Sequence, residues 1–316
     1  MHVRKSSYGK NEIASFLSEK YRAAIYPAPM TEGQESQAFS FTHENKEYVF
    51  RINANMEGFK KDDYAFRNFA APNIPIPKIV ECGRFDDKNA YCVSEKAIGV
   101  TYQNADETVI KSMLGEVDGL WRSIGSTDIS QTEGYGVFSS ESGNAPYKSW
   151  NDYLLSIADE RLYDWKKVRR AEKVNEKLID DLFTEFLRYV RYCPEERKLC
   201  HGDFGSNNLL VDAGKLKITA IIDWDNAAYG DPLIDVAGAY FWKDWLTCMR
   251  MTSSYWDEAL GSLPNYRNRI MCYMLRTGLA EIYDNTADGD GDTLAWLHDR
   301  CEKFVKDAKR TKGCIK

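Results

Sequence analysis

Apolar positions in the first hundred residues recur with two different periods. Ile13, Phe16, Leu17 and Tyr21 fall at helical spacing and predict an amphipathic helix over 10–22. Residues 37–41 and 48–52 alternate instead. They read as paired strands around the polar turn Thr42–Lys46. A second helix is predicted over 59–70, with Phe59, Phe69 and one of Tyr64 or Phe66 on one face. Two more strands are predicted at 78–82 and 91–95. Ile74-Pro75-Ile76-Pro77 must be extended, because each proline disfavours helix in the residue before it. Past residue 100 the period is helical almost throughout, over 106–124, 150–164, 171–192, 233–250, 265–284 and 292–308. One β-like interruption remains, 207–223. The pattern predicts an α+β protein with a small β-rich N-terminal lobe (1–97, hinge about 94–99) and a larger helical C-terminal lobe (98–316).

Composition narrows the reading by exclusion. At 43% hydrophobic and 28% charged residues the chain is ordinary for a soluble protein. A net charge of −6 argues against a nucleic-acid binder and suits a cationic small-molecule partner. There is no apolar run of membrane-spanning length and no secretory leader, so no membrane role is expected and a cytoplasmic location is. The eight cysteines form no CxxC pair, which speaks against zinc, and free thiols are expected.

The candidate chemistry sits in the β-like interruption. His201-Gly202-Asp203-Phe204-Gly205-Ser206-Asn207-Asn208 runs into Leu209-Leu210-Val211, and a second apolar run ends in Ile221-Ile222-Asp223. Asp203 and Asn208 are five residues apart, so one tight loop can present both to a common cleft. Asp223 closes a separate strand. A carboxylate that orients a hydroxyl and takes its proton, plus two hard oxygen donors for magnesium, is what phosphoryl transfer from a nucleotide requires. Singly, each residue is equally well explained by turn chemistry; the combined spacing favours the phosphotransfer reading. His201 is expected to brace the loop. A Cys200-His201-Asp203 triad is set aside, because strand neighbours point to opposite faces.

These residues resemble the aminoglycoside phosphotransferase family, which shares the bilobal protein-kinase-like fold. The likeness extends to Thr31–Phe41, Pro75-Ile76-Pro77, Gly134-Tyr135-Gly136, Ile222-Asp223-Trp224 and Phe241-Trp242 with Trp245 and Cys248-Met249. It implies an ATP- or GTP-dependent kinase using Mg2+ and an aminoglycoside acceptor. Asp203 would be the catalytic base, with Asn208 and Asp223 as metal ligands. Arg51, where most relatives carry Lys, would lie over the α- and β-phosphates, anchored by Asp62. Ser36, in the phosphate-covering loop, would bind a phosphate oxygen. Val49, Leu210 and Ile222 would enclose the adenine, whose edge the backbone around Glu95–Ala97 would read. Asp235 would hold the catalytic loop from below.

For the acceptor, an acidic rim of Glu281, Asp284, Asp288, Asp290 and Asp292 and an aromatic wall of Tyr240, Trp242 and Trp245 are candidates; helix caps and core packing account for the same residues. Asp288–Asp292 resembles a calcium loop but lacks its glycine and terminal glutamate. Two rival readings stand: a housekeeping small-molecule kinase of the same fold, and a nucleotide-binding module without chemistry.

Overall fold

The structure, a computed structural model, describes residues 7–30, 36–288 and 291–310. Its elements run α1 (Lys10–Tyr21), β1 (Ala28–Pro29), β2 (Gln37–His43), β3 (Lys46–Asn53), α2 (Met56–Phe69), β4 (Ile79–Arg84) and β5 (Ala90–Glu95) in the first lobe. The second lobe holds β6 (Val100–Thr101), α3 (Glu107–Gly125), β7 (Gly136–Val137), α4 (Trp150–Leu155), α5 (Trp165–Arg169), α6 (Glu176–Tyr189), β8 (Lys198–Cys200), β9 (Leu209–Asp212) and β10 (Lys217–Ile221). It continues with β11 (Ala228–Gly230), α7 (Leu233–Trp242), α8 (Thr247–Leu260), α9 (Tyr266–Asp288) and α10 (Gly291–Arg310).

The first lobe is an antiparallel sheet of order β1-β2-β3-β5-β4. Alternation decides its faces: Phe39, Phe41, Phe50, Ile52, Tyr91 and Val93 point to one side and are buried with Ile13 and Leu17 of α1. Phe59 of α2 covers Ile79 and Cys92 on the other side. Asn55 starts α2 by accepting the Gly58 amide at 3.0 Å, the usual N-cap bond.

In the second lobe the β-like interruption is an antiparallel hairpin of β9 and β10, with β6 on its edge. Three further strands, β7, β8 and β11, make a second small sheet that the apolar pattern did not reveal, being two or three residues each. The helices enclose one core in which Trp150, Trp224, Trp256 and Tyr273 are completely or almost completely buried.

Three expected helices have different bounds. The 233–250 segment is two helices: Trp245 and Leu246 donate back to the Trp242 carbonyl, and Asp244 in that turn is gripped by Arg300 and Lys303 of α10. The 150–164 segment is helical only to Leu155 and through one 3-10 turn. The Asp159 carbonyl then accepts from Leu162 and Tyr163 and turns the chain. The 171–192 helix starts at Glu176, where Asn175 caps it through the Leu178 amide at 3.1 Å. Among the described residues no helix is long and apolar enough to cross a membrane, and the described cysteines are free.

Candidate active site

The loop between β8 and β9 is held from three directions. Asp235, buried near the start of α7, accepts the amides of His201 at 2.9 Å and Gly202 at 2.7 Å. Gly202 has φ +84°, and a Cβ there would meet the Asn226 carbonyl at 2.0 Å, so only glycine fits. His201 is fully buried; its Nε2 faces the Ile222 carbonyl at 3.1 Å and its Nδ1 accepts the Asp203 amide at 3.3 Å. A carbonyl only accepts, so the ring proton is on Nε2 and the imidazole is neutral. Burial accordingly pulls the His201 pKa down to about 4, against the opposing pull of its carbonyl partner. His201 is therefore a brace in geometry as in expectation.

That bracing brings Asp203 and Asn208 together. The Asn208 amide nitrogen donates to the Asp203 carboxylate at 2.8 Å and to its carbonyl at 2.9 Å. Its nitrogen thus committed, Asn208 has its amide oxygen left as a hard donor. Asp203 opens onto solvent on one side and is packed in protein on the others; burial raises its pKa, and the Asn208 bond opposes this. Asp223 is also open on one side and has φ +67°, a conformation costly for a non-glycine residue and typical of functional positions. Burial, then Asp62 and Asp203, push its carboxyl up to about 7, with Arg51 pulling the other way.

From the first lobe, Arg51 on β3 pairs with Asp62 on α2 at 2.5 Å. Burial alone would lower the guanidinium pKa, but Asp62, Cys92 and Asp223 outweigh it and raise it. Asp62 also accepts the Trp224 amide at 2.8 Å, so one carboxylate joins β3 to the residue after Asp223. Val49, Leu210 and Ile222 are half-buried apolar residues, while Glu95 is exposed and Ala97 half-buried. The amides of Glu95 and Lys96 are bonded to the carbonyls of Lys78 and Glu47. The Ser36 hydroxyl accepts from Asn53 at 2.8 Å, which keeps its own O–H available to donate. Residues 31–35 with Gly33 lie outside the described residues, as do Gly289 and Asp290; the side chains of Asp288 and Asp292 are likewise outside them.

The acceptor-side expectations divide. Trp242 stacks on Trp296 at 5.4 Å and 3°, and Trp245, 59% exposed, meets the same ring at 4.7 Å. Tyr240 is instead a core residue, 8% exposed, its hydroxyl bonded to Ser253 and Tyr266. Glu281 and Asp284 are half-buried on α9, and the Glu281 carboxylate and carbonyl both accept from Asn285. Asn55, Lys61 and Asp225, passed over in the sequence, also converge here.

Residues 28–261 match the phosphotransferase enzyme family APH. The chain is 36% identical over 311 residues to hygromycin-B 4-O-kinase of Escherichia coli, covering 98% of this chain and 89% of that protein. The chain belongs to the aminoglycoside phosphotransferase family. Aminoglycoside phosphotransferase APH(4)-Ia superposes with a TM-score of 0.87 at 37% identity, over 94% of this chain and 99% of that one. A thermostable mutant of that enzyme, in ternary complex with AMP-PNP and hygromycin B, gives 0.86 at 37% identity, over 93% and 98%. Aminoglycoside 2'-phosphotransferase-IIIa, at 15% identity, shares the fold with a TM-score of 0.69, over 95% and 99%. This chain is thus a phosphotransferase of the bilobal protein-kinase-like class.

Proposed function

We propose that this enzyme transfers the γ-phosphate of Mg-ATP to the 4-hydroxyl of hygromycin B, and so confers resistance to it. The chemistry rests on one observation: Asn208 clasps the Asp203 carboxylate at 2.8 Å while Asp223 opens to solvent close enough for the two acids to perturb each other. The acceptor rests on the 36% identity to a hygromycin-B 4-O-kinase across nearly the whole chain. Asp203 orients the acceptor hydroxyl and takes its proton, as a carboxylate whose affinity for protons is raised by burial is suited to do. Arg51, fixed by Asp62, grips the phosphates as a planar, permanently charged fork.

The donor set fits magnesium. Asn208 and Asp223 offer one neutral and one anionic oxygen. Among the described residues no group of three His, Cys, Asp or Glu could hold a metal by itself. Magnesium held by one or two side-chain oxygens takes its remaining ligands from phosphates and water. When bound, the ion neutralises charge on the transferring phosphoryl group. Positioning by the chain's own residues supplies the rest, because the phosphoryl transition state is loose and little covalent help is needed.

The nucleobase lies between Val49 above and Leu210 and Ile222 below, its edge against the Ala97 amide, with the lobes hinged at 94–99. Ser36, held by Asn53, closes the phosphate end. Trp242 supplies a flat face for a sugar ring, and Glu281 and Asp284 attract the acceptor's ammonium groups. An ADP-release assay across a panel of aminoglycosides tests the assignment, with mass and NMR analysis of the product. Turnover of hygromycin B with phosphate on its 4-hydroxyl is expected. Turnover only on an amino alcohol, amino acid or simple sugar would transfer the assignment to a housekeeping kinase.

A further inference from the structure

Residues 55, 58, 61 and 62 lie along one side of the N-terminal half of α2, and all four meet the segment that follows Asp223. Asn55 uses its oxygen to cap α2 and its amide nitrogen to donate to the Asp225 carboxylate at 2.7 Å. Gly58 leaves room for that carboxylate: a Cβ there would lie 3.1 Å from the Asp225 Cγ and 3.0 Å from the Asn55 amide. Lys61, 1% exposed, donates to the Asp225 carbonyl and, at 3.1 Å, to the Ala227 carbonyl. Its ammonium also lies 4.6 Å above the Phe138 ring. Asp62 takes the Trp224 amide. On the far side of the same segment, the Asn226 backbone packs so tightly on Gly202 that no side chain fits between them. The 223–227 segment is therefore wedged between a first-lobe helix and the catalytic loop.

A buried ammonium spent on two backbone carbonyls is an expensive way to hold an ordinary turn. Burial lowers its pKa to about 8, with Asp225 and Glu57 opposing, so it stays charged at neutral pH. The segment it holds begins with Asp223, in a backbone conformation that must be imposed from outside.

We propose that Lys61, Asn55 and Asp225 are positioning residues for phosphoryl transfer: α2 grips the segment after Asp223 through them, and that grip sets where the Asp223 carboxylate stands. The inference rests on the proposed function for the role of Asp223. It adds to the bond between the lobes that Asp62 makes with the Trp224 amide.

Two variants and a rescue test it. Lys61→Met keeps most of the stem and removes the charge. Asn55→Asp keeps an acceptor for the Gly58 amide, so the cap survives, but sets a carboxylate against Asp225. Adding Asp225→Asn to Asn55→Asp restores the bond with donor and acceptor exchanged. In steady-state assays with Mg-ATP and hygromycin B, each single variant is expected to lose ~10- to 100-fold in kcat, the scale of a small misplacement. The KM for hygromycin B should stay within about twofold, as expected when ground-state binding of the acceptor is untouched. By calorimetry, the gain in ADP affinity on adding Mg2+ should shrink in both, and the double variant should recover both readouts. Should Lys61→Met fail to fold, Asn55→Asp and its rescue decide alone. A lowered Tm with wild-type kcat and wild-type Mg2+-dependent ADP affinity would reduce the contacts to fold stability and overturn the proposal. Absence of wild-type turnover on hygromycin B would strike the functional assignment instead, and the ADP–Mg2+ titration would still test the grip.

Discussion

Lowering the pH should unfasten the catalytic loop through His201. Both ring nitrogens are already engaged, Nε2–H toward the Ile222 carbonyl and Nδ1 toward the Asp203 amide. A second ring proton would sit on Nδ1 and face an N–H, donor against donor, inside protein with no exposure to water. The folded state therefore resists protonation down to about 4, whereas the unfolded chain protonates near 6.5. A base with a depressed folded pKa contributes stability that is whole above 6.5 and drains away as pH falls toward 4. At ~1.4 kcal/mol per pH unit, that interval corresponds to ~3 kcal/mol. Other groups titrate in the same window, so the test compares wild type with His201→Gln, whose amide can still donate to the Ile222 carbonyl but does not titrate. Urea unfolding at several pH values between 7.5 and 4 should show the stability gap between the two narrowing by about that amount. The sign follows from wild type alone carrying the penalty. A gap that stays constant with pH, or widens as acid is added, would refute the neutral, doubly bonded imidazole.

Asp203→Ala should leave ADP affinity by calorimetry nearly unchanged while cutting kcat by ~100-fold or more, the usual contribution of a positioned base. Asp62→Ala strands the Arg51 charge and the Trp224 amide together; breaking such a pair should cost ~3–5 kcal/mol in urea unfolding and raise the KM for ATP more than that for hygromycin B. Trp242→Ala should raise the KM for hygromycin B severalfold and leave that for ATP alone, because it removes half of a stacked ring pair proposed to meet the sugar. A matching rise for both would mean that it merely supports α7 against α10.

Legibility followed the physics of each element. Phe39, Phe41, Phe50 and Ile52 announced the first sheet because one face is buried and alternation records it. The turn at 243–246 left no mark, because Asp244 makes it by pairing with Arg300 and Lys303 far along the chain, and the apolar spacing runs on through it. β7, β8 and β11 are too short to carry a period at all. The same division governs the site. The pairing of Asp203 with Asn208 was readable because the two lie five residues apart in one loop, and the roles proposed for them and for Asp223 demand fixed residue types. Asp62 was readable only as the acid on the right helix; that it joins Arg51 to Trp224 depends on how the lobes meet. Asn55, Gly58 and Lys61 were invisible for a stronger reason. As a sequence they are a capping residue, a poor helix former and one of two adjacent lysines, each with an ordinary surface explanation. Their partner, Asp225, is some 170 residues away, and only the tertiary fold turns the Lys61 side chain inward. A helix whose first turns hold a glycine and a buried lysine on the side that faces a catalytic segment violates two local rules at once. Such joint violations are where a fold has given up local preference for the placement of something else, here the carboxylate two residues before Asp225.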